Sequence, residues 1–282
     1  MADRRDVLRA IGLAAAAPWA AGAGARNKAP RPAGIAFGSG GMHGLAHVGA
    51  IRAFQALGAR PAVIAGCSAG AIAGGLWAAG RSANEIEALA LDESWREEGR
   101  WHLPRFGLGR LDRLQELVDA QTDAARIEAL PIRFVAVATN LVTGRVELLR
   151  HGPLAPAIAA SASVPVLYEP VRLDGRYLVD GALTAPLPID AARALGAQSV
   201  VAIDVAYRPY EDSVTGIAGA AFQMFHIMVN QLIAEQVRRA DHAIRLDVHA
   251  LMKDGADPRV LIDEGERAVR AAWPALAPLF GA

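Results

Sequence analysis

The sequence predicts an α/β fold, a mostly parallel sheet with helices on both of its faces, and three observations carry the prediction. From residue 33 onward, short apolar runs alternate with longer segments whose apolar residues recur at helical spacing. Several of those runs end in glycine-rich turns, as strands do when they feed helices. The composition agrees. Hydrophobic residues make up 53% of the chain and aromatics only 6%, with 28 glycines, which suits helices packed closely on a sheet. At 282 residues the chain can bury one good core but hardly two large ones.

Taken in order, residues 33–37 (AGIAF) read as a buried strand, and 44–57 follow at helical spacing. PAVIA at 61–65 is the next strand and 69–79 the next helix. Residues 133–139 and 146–149 read as two strands, with Thr143-Gly144 at the turn between them. The Ala-rich stretch 155–162 is helical. Residues 171–173 and 177–179 flank Asp174-Gly175, a strong hairpin signal. The β-branched run 200–205 is a further strand, and 215–240 a long amphipathic helix. No repeat period appears, so residues 33–282 form one domain.

Charge excludes one class of function. Lys+Arg and Asp+Glu both number 29, and no basic stripe is interleaved with aromatics, so nucleic acid is not an expected partner. The lone Cys67 allows no internal disulfide. At the N-terminus, Arg4-Arg5 precedes the apolar run 11–21, and AGAGA at 21–25 offers small-x-small cleavage sites. That pattern is expected of a twin-arginine signal over residues 1–25, followed by a linker at 26–32, and hence of export to the periplasm. The alternative is a cytoplasmic protein with an Ala-rich N-terminal helix.

Chemistry concentrates in Gly66-Cys67-Ser68-Ala69-Gly70, between an apolar strand and an Ala-rich helix. A serine on so sharp a turn needs small neighbours, and the turn lifts its hydroxyl to a helix N-terminus that favours negative charge. The alternative is a glycine-rich turn with a capping serine. Upstream lies Gly38-Ser39-Gly40-Gly41-Met42-His43-Gly44, an anion nest between strand and helix. Its spacing fits neither a dinucleotide fingerprint nor a P-loop. An oxyanion hole from the Gly40 and Gly41 amides fits best, because a nucleophile needs one nearby. For the base, His226, His242 and His249 are candidates, but each reads more simply as structural. Asp180, directly after the strand at 177–179, is the other candidate, since a partly desolvated aspartate can act as a base.

Together these blocks resemble the patatin-like phospholipase family. The matching residues are SGGMHGLAHVG at 39–49, GCSAGAIAGG at 66–75 and the stretch from ASASVPVLYEPV to LVDGALTAPLP at 160–188. Family-like segments also occur at 137–144 and 196–205. The resemblance implies a three-layer α/β/α sandwich and a catalytic dyad without histidine. Ser68 would be the nucleophile, Asp180 the base, and Gly40 and Gly41 the oxyanion hole. It implies acyl esters of glycerolipids, phospholipids or lysophospholipids as substrates, and no metal or organic cofactor. Four positions depart from the pattern: Ser39 replaces a glycine, His43 a basic residue, Val166 a glycine and Ala185 an asparagine.

The function expected is therefore a serine lipid acyl hydrolase working through an acyl-enzyme. The rivals are an acyltransferase with the same dyad and a non-catalytic member that binds lipid or a protein partner. A Ser-His-Asp hydrolase would require His242 or His249 to reach Ser68. Residues 93–110, which mix Trp95, Trp101 and Phe106 with arginines, suit peripheral contact with a membrane surface, or equally a solvated loop with its aromatics folded inward. The oligomeric state is not legible in the sequence.

Overall fold

The computed structural model describes residues 32–92, 107–206, 214–248, 250–251 and 257–281. The expected leader at 1–25, nearly all of the linker, most of the aromatic segment 93–110, and His249 lie outside the described residues.

One large sheet organises the chain. Its strands are β1 (Ala33–Phe37), β2 (Val63–Cys67), β4 (Arg133–Asn140), β5 (Val146–Leu149), β7 (Val171–Leu173), β8 (Arg176–Asp180), β9 (Ser199–Asp204) and β10 (His242–Arg245). The short strands β3 (Gly107–Gly109) and β6 (Val166–Tyr168) pair separately, in parallel. The main order is β10-β9-β1-β2-β4-β8-β7, with β5 also paired to β4. From β10 to β4 every pairing is parallel, while β5, β7 and β8 are antiparallel. The expected hairpin at Asp174-Gly175 joins β7 to β8, and both turn residues have positive φ, as a tight two-residue hairpin turn requires.

The pleat of the sheet divides the core in two. Ile35, Phe37, Ile64, Phe134 and Ile203 point to one face and pack against α1 (Leu45–Ala56), α2 (Ala69–Ala78), α3 (Ala83–Leu91), α4 (Asp112–Thr122), α5 (Leu154–Ala162) and α8 (Arg259–Phe280). Their neighbours Ala36, Val63, Ala65, Val135 and Ala202 point to the other face, under α6 (Ile189–Ala194) and α7 (Gly216–Gln236). Strands apolar on both sides are what a sheet covered by helices on both faces demands. The expected long helix at 215–240 closes earlier, since residues 237–239 tighten into a 3-10 turn before β10.

The register of β4 positions the site. Cys67, the last residue of β2, lies opposite Val137, and Asp180, the last residue of β8, lies opposite Ala138. A parallel and an antiparallel strand thus end at successive residues of one template strand. Their C-terminal ends meet there, 113 positions apart in sequence.

Candidate active site

The turn after β2 is strained at Ser68, the candidate nucleophile. Ser68 has φ 54° and ψ −122°, a conformation that costs a non-glycine residue of order 1–3 kcal/mol. Two glycines make the turn sterically feasible. A Cβ on Gly66 would come 2.5 Å from the Ala71 Cα, and one on Gly70 would come 2.3 Å from the Phe37 carbonyl oxygen. The Ser68 amide donates to Ser161 Oγ at 3.0 Å, and that hydroxyl donates onward to the Val137 carbonyl at 2.6 Å. Ser161 is fully buried in α5, so this relay fixes the strained residue against β4.

Ser68 Oγ donates to Asp180 Oδ2 at 2.6 Å. The other carboxylate oxygen, Oδ1, accepts the Ala182 amide at 2.8 Å. The Asp180 backbone is held on both sides: its amide donates to the Ser163 carbonyl at 2.9 Å, and its carbonyl accepts from Thr139 Oγ1 at 3.0 Å. Burial pushes the Asp180 carboxyl up to about 6, against the opposing pull of the hydrogen bonds from Ser68 and Ala182. Cys67 Sγ lies 4.0 Å from Asp180 Oδ1. Burial, and then the nearby Asp180 charge, raise its thiol well above the ordinary value, so it stays protonated.

The glycine loop borders the same space. The Gly38 amide donates to the Ile203 carbonyl at 3.0 Å and the Ser39 amide to the Pro186 carbonyl at 2.8 Å. The Gly40 and Gly41 amides make no hydrogen bond among the described residues, and both glycines line a cavity of about 470 Å³ with Ser68 and Asp180. The loop's first peptide plane is clamped at both ends, because the Gly38 carbonyl also accepts a hydrogen bond of 2.8 Å from His47 Nε2. His47 is fully buried in α1, edge-on to Phe37 at 5.2 Å between ring centroids. Burial lowers its pKa to about 4, so it is a neutral imidazole at neutral pH, with Nδ1 unpartnered among the described residues.

The other candidates fall as follows. His226 is half-buried on α7 and lines the cavity that contains Ser68, rather than being absorbed wholly into the core. His242 opens β10, three strands from β2 in the sheet and at the opposite strand end from Ser68, so it does not approach the serine. His43 is buried in the 3-10 turn Gly41–Gly44. Val166, where a glycine was the pattern, has φ 75° and is 58% exposed. His47 and Ser161 were not singled out by sequence. The available signals were a histidine amid the apolar residues of α1 and a serine within an alanine run. Among the described residues, no group of three His, Cys, Asp or Glu side chains could hold a metal ion, and no helix is long and apolar enough to cross a membrane.

A sheet with mixed edges, covered by helices on both faces and carrying a serine on a strand-to-helix elbow, defines an α/β protein of three layers. The family model for patatin-like phospholipase matches residues 35–193, more than half of the chain, and the chain belongs to that family. An uncharacterized NTE family protein of Mycobacterium bovis is 37% identical over 182 residues, covering 64% of this chain and 50% of its own length. A patatin-like phospholipase domain-containing protein of Caenorhabditis elegans is 29% identical over 208 residues, covering 65% of this chain and 15% of that one. The chain thus spans half or less of the length of these curated relatives. In fold it is similar to VipD from Legionella pneumophila, with a TM-score of 0.58 and 13% identity over 88% of this chain and 67% of that one.

Proposed function

We propose that this protein is a serine lipid acyl hydrolase in which Ser68 and Asp180 form the catalytic dyad. The observation that carries the reading is the 2.6 Å hydrogen bond from a strained, elbow-mounted serine to a buried carboxylate. Membership of a lipid-hydrolysing family supports the substrate class. In the first half-reaction Asp180 takes the Ser68 proton as Oγ attacks the ester carbonyl. The negative charge developing on the carbonyl oxygen is met by the Gly40 and Gly41 amides and the N-terminus of α2. Collapse breaks the bond to the alcohol oxygen, which takes the proton from Asp180 and leaves. Water then attacks the acyl-Ser68 carbonyl and gives its proton to Asp180. The second collapse returns that proton to Ser68 Oγ and frees the carboxylic acid.

Labelling with a fluorophosphonate ester, beside p-nitrophenyl ester turnover and analysis of the products, tests the reading. Wild type is expected to label and to release free fatty acid, with both lost in Ser68→Ala. Asp180→Asn is expected to lower kcat by about a thousandfold or more, as loss of a general base at a serine nucleophile does. A folded wild type that neither labels nor turns over would overturn it. A product that is mainly a new ester, formed on an added alcohol, would favour acyl transfer instead.

A further inference from the structure

Two cavities meet at Ser68, and the second is the more apolar of the two. The one described above, of about 470 Å³, runs beneath α7 and carries polar groups from Asp180, Thr215, Gln223 and His226. The second, of about 600 Å³, leaves Ser68 in the other direction, between α1, α2, α3 and α4. Both volumes are of the size that holds a small-molecule ligand. They share Gly41, Ser68, Val164 and Leu167, so an ester carbonyl held at Ser68 would send its two halves into different arms.

The second arm follows one stripe of α2. Ala69, Ile72, Ala73 and Leu76 all line it, the spacing of a single helical face, so the arm tracks α2 for about 10 Å from the nucleophile. Facing aliphatic side chains include Val48, Ile86 and Leu114. The charged residues among its described lining are Arg110 and Arg113, both exposed, which mark the end open to solvent. A wall of this composition offers an extended chain little hydrogen bonding, and burial of methylenes is what it can reward.

Resting on the hydrolase reading, we propose that the arm along α2 binds the acyl chain and the arm beneath α7 binds the alcohol portion. The acyl chain is thereby committed to lie against Ala73. This orientation makes acyl length and alcohol identity separable in the enzyme: residues of α2 set the first, residues of α7 the second.

The experiment uses two substrate series, p-nitrophenyl esters of increasing acyl length and butyrate esters of alcohols of increasing size. Ala73→Leu and, independently, the half-buried Ile72→Phe narrow the α2 arm. Each is expected to lower the dodecanoate-to-butyrate ratio of kcat/KM at least tenfold while leaving the alcohol ranking in place. Phe222→Ala on α7 is expected to shift the alcohol ranking and leave the acyl-length ratio within about twofold. The reverse pattern, in which the α2 variants move alcohol preference, overturns the assignment. So does an unchanged acyl ratio in both α2 variants that still turn over butyrate. Absence of turnover by wild type on every ester removes the hydrolase reading as well, and the two failures are therefore distinguishable.

Discussion

His47 Nε2 donates to the Gly38 carbonyl at 2.8 Å, and this one bond orients the peptide plane from which the glycine loop departs. The opposite side of that plane, the Ser39 amide, is held by Pro186 at 2.8 Å. Only the neutral tautomer with hydrogen on Nε2 satisfies the carbonyl at neutral pH, given a pKa lowered by burial to about 4. His47→Leu should leave substrate binding near wild type and lower kcat by ten- to a hundredfold, because the loop's amides lose their fixed aim. His47→Gln can place a donor near the same point and should recover most of the rate. A purely structural role would lower both variants' stability without separating their kcat values. Steady-state kinetics beside thermal melts decide it.

If Asp180 is the proposed base, its raised pKa sets the pH dependence. As a base it must be ionised, so kcat/KM is expected to climb with pH and level off above an apparent pKa near 6. Stability moves the other way. Between the ordinary carboxyl value of 3.8 and about 6, the unfolded chain ionises before the folded one, so the folded state loses stability as pH rises. Above pH 6 that cost is constant, on the order of 3 kcal/mol. Asp180→Asn keeps the shape and escapes the charge. It should melt higher than wild type at pH 8 and close to it at pH 4, while being inactive at both. An equal melting shift at the two pH values would count against the ionisation account.

Ser161 is a second positioning residue. Ser161→Ala would strand the Ser68 amide in a buried site and free the strained φ to relax, at a cost of about 1–3 kcal/mol. The Ser68 hydroxyl would then be misaimed, and fluorophosphonate labelling should slow more than tenfold while the fold survives. Ser161→Thr retains a hydroxyl and should label faster than the alanine variant. Equal rates for the two would argue that α5 packing alone holds the elbow.

Val166 is a strained residue away from the proton chemistry. A β-branched side chain at φ 75° is unfavourable, and here it is mostly exposed. Val166→Gly should raise stability by about 1 kcal/mol, where the same change in an ordinary strand would lower it. Denaturant titration measures this directly. Because Leu167 lines both arms of the site, the substitution should also alter ester preference.

Much of this architecture was legible in the sequence where local chemistry is self-sufficient. The strand read at 61–65 and found at Val63–Cys67, the elbow serine and the Asp174-Gly175 hairpin each follow from residues within a few positions of one another. The parts that stayed hidden depend on distant partners. Helix α8 contains Pro274 and Pro278, which break the usual helical signature, and it is recognised by how closely it packs: a Cβ on Gly49 would come 1.7 Å from the Ile262 carbonyl oxygen. The roles of His47 and Ser161 were invisible for the same reason. Nothing local in α1 says that a carbonyl nine residues earlier will turn to meet the imidazole, and nothing local in α5 points to the Ser68 amide.

The meeting of β2 and β8 on β4 has a consequence for when activity can arise. Slipping β8 by one residue would turn Asp180 to the opposite face of the sheet, and no local adjustment could restore its contact with Ser68. The Ser68–Asp180 contact is therefore created by tertiary pairing of strands distant in sequence. If Ser68 and Asp180 act as the proposed dyad, an incompletely folded molecule would carry both side chains without their contact, and the first appearance of esterase activity during refolding should coincide with the last of these strands locking into register. Catalysis in this protein would then serve as a clock for the completion of its own sheet.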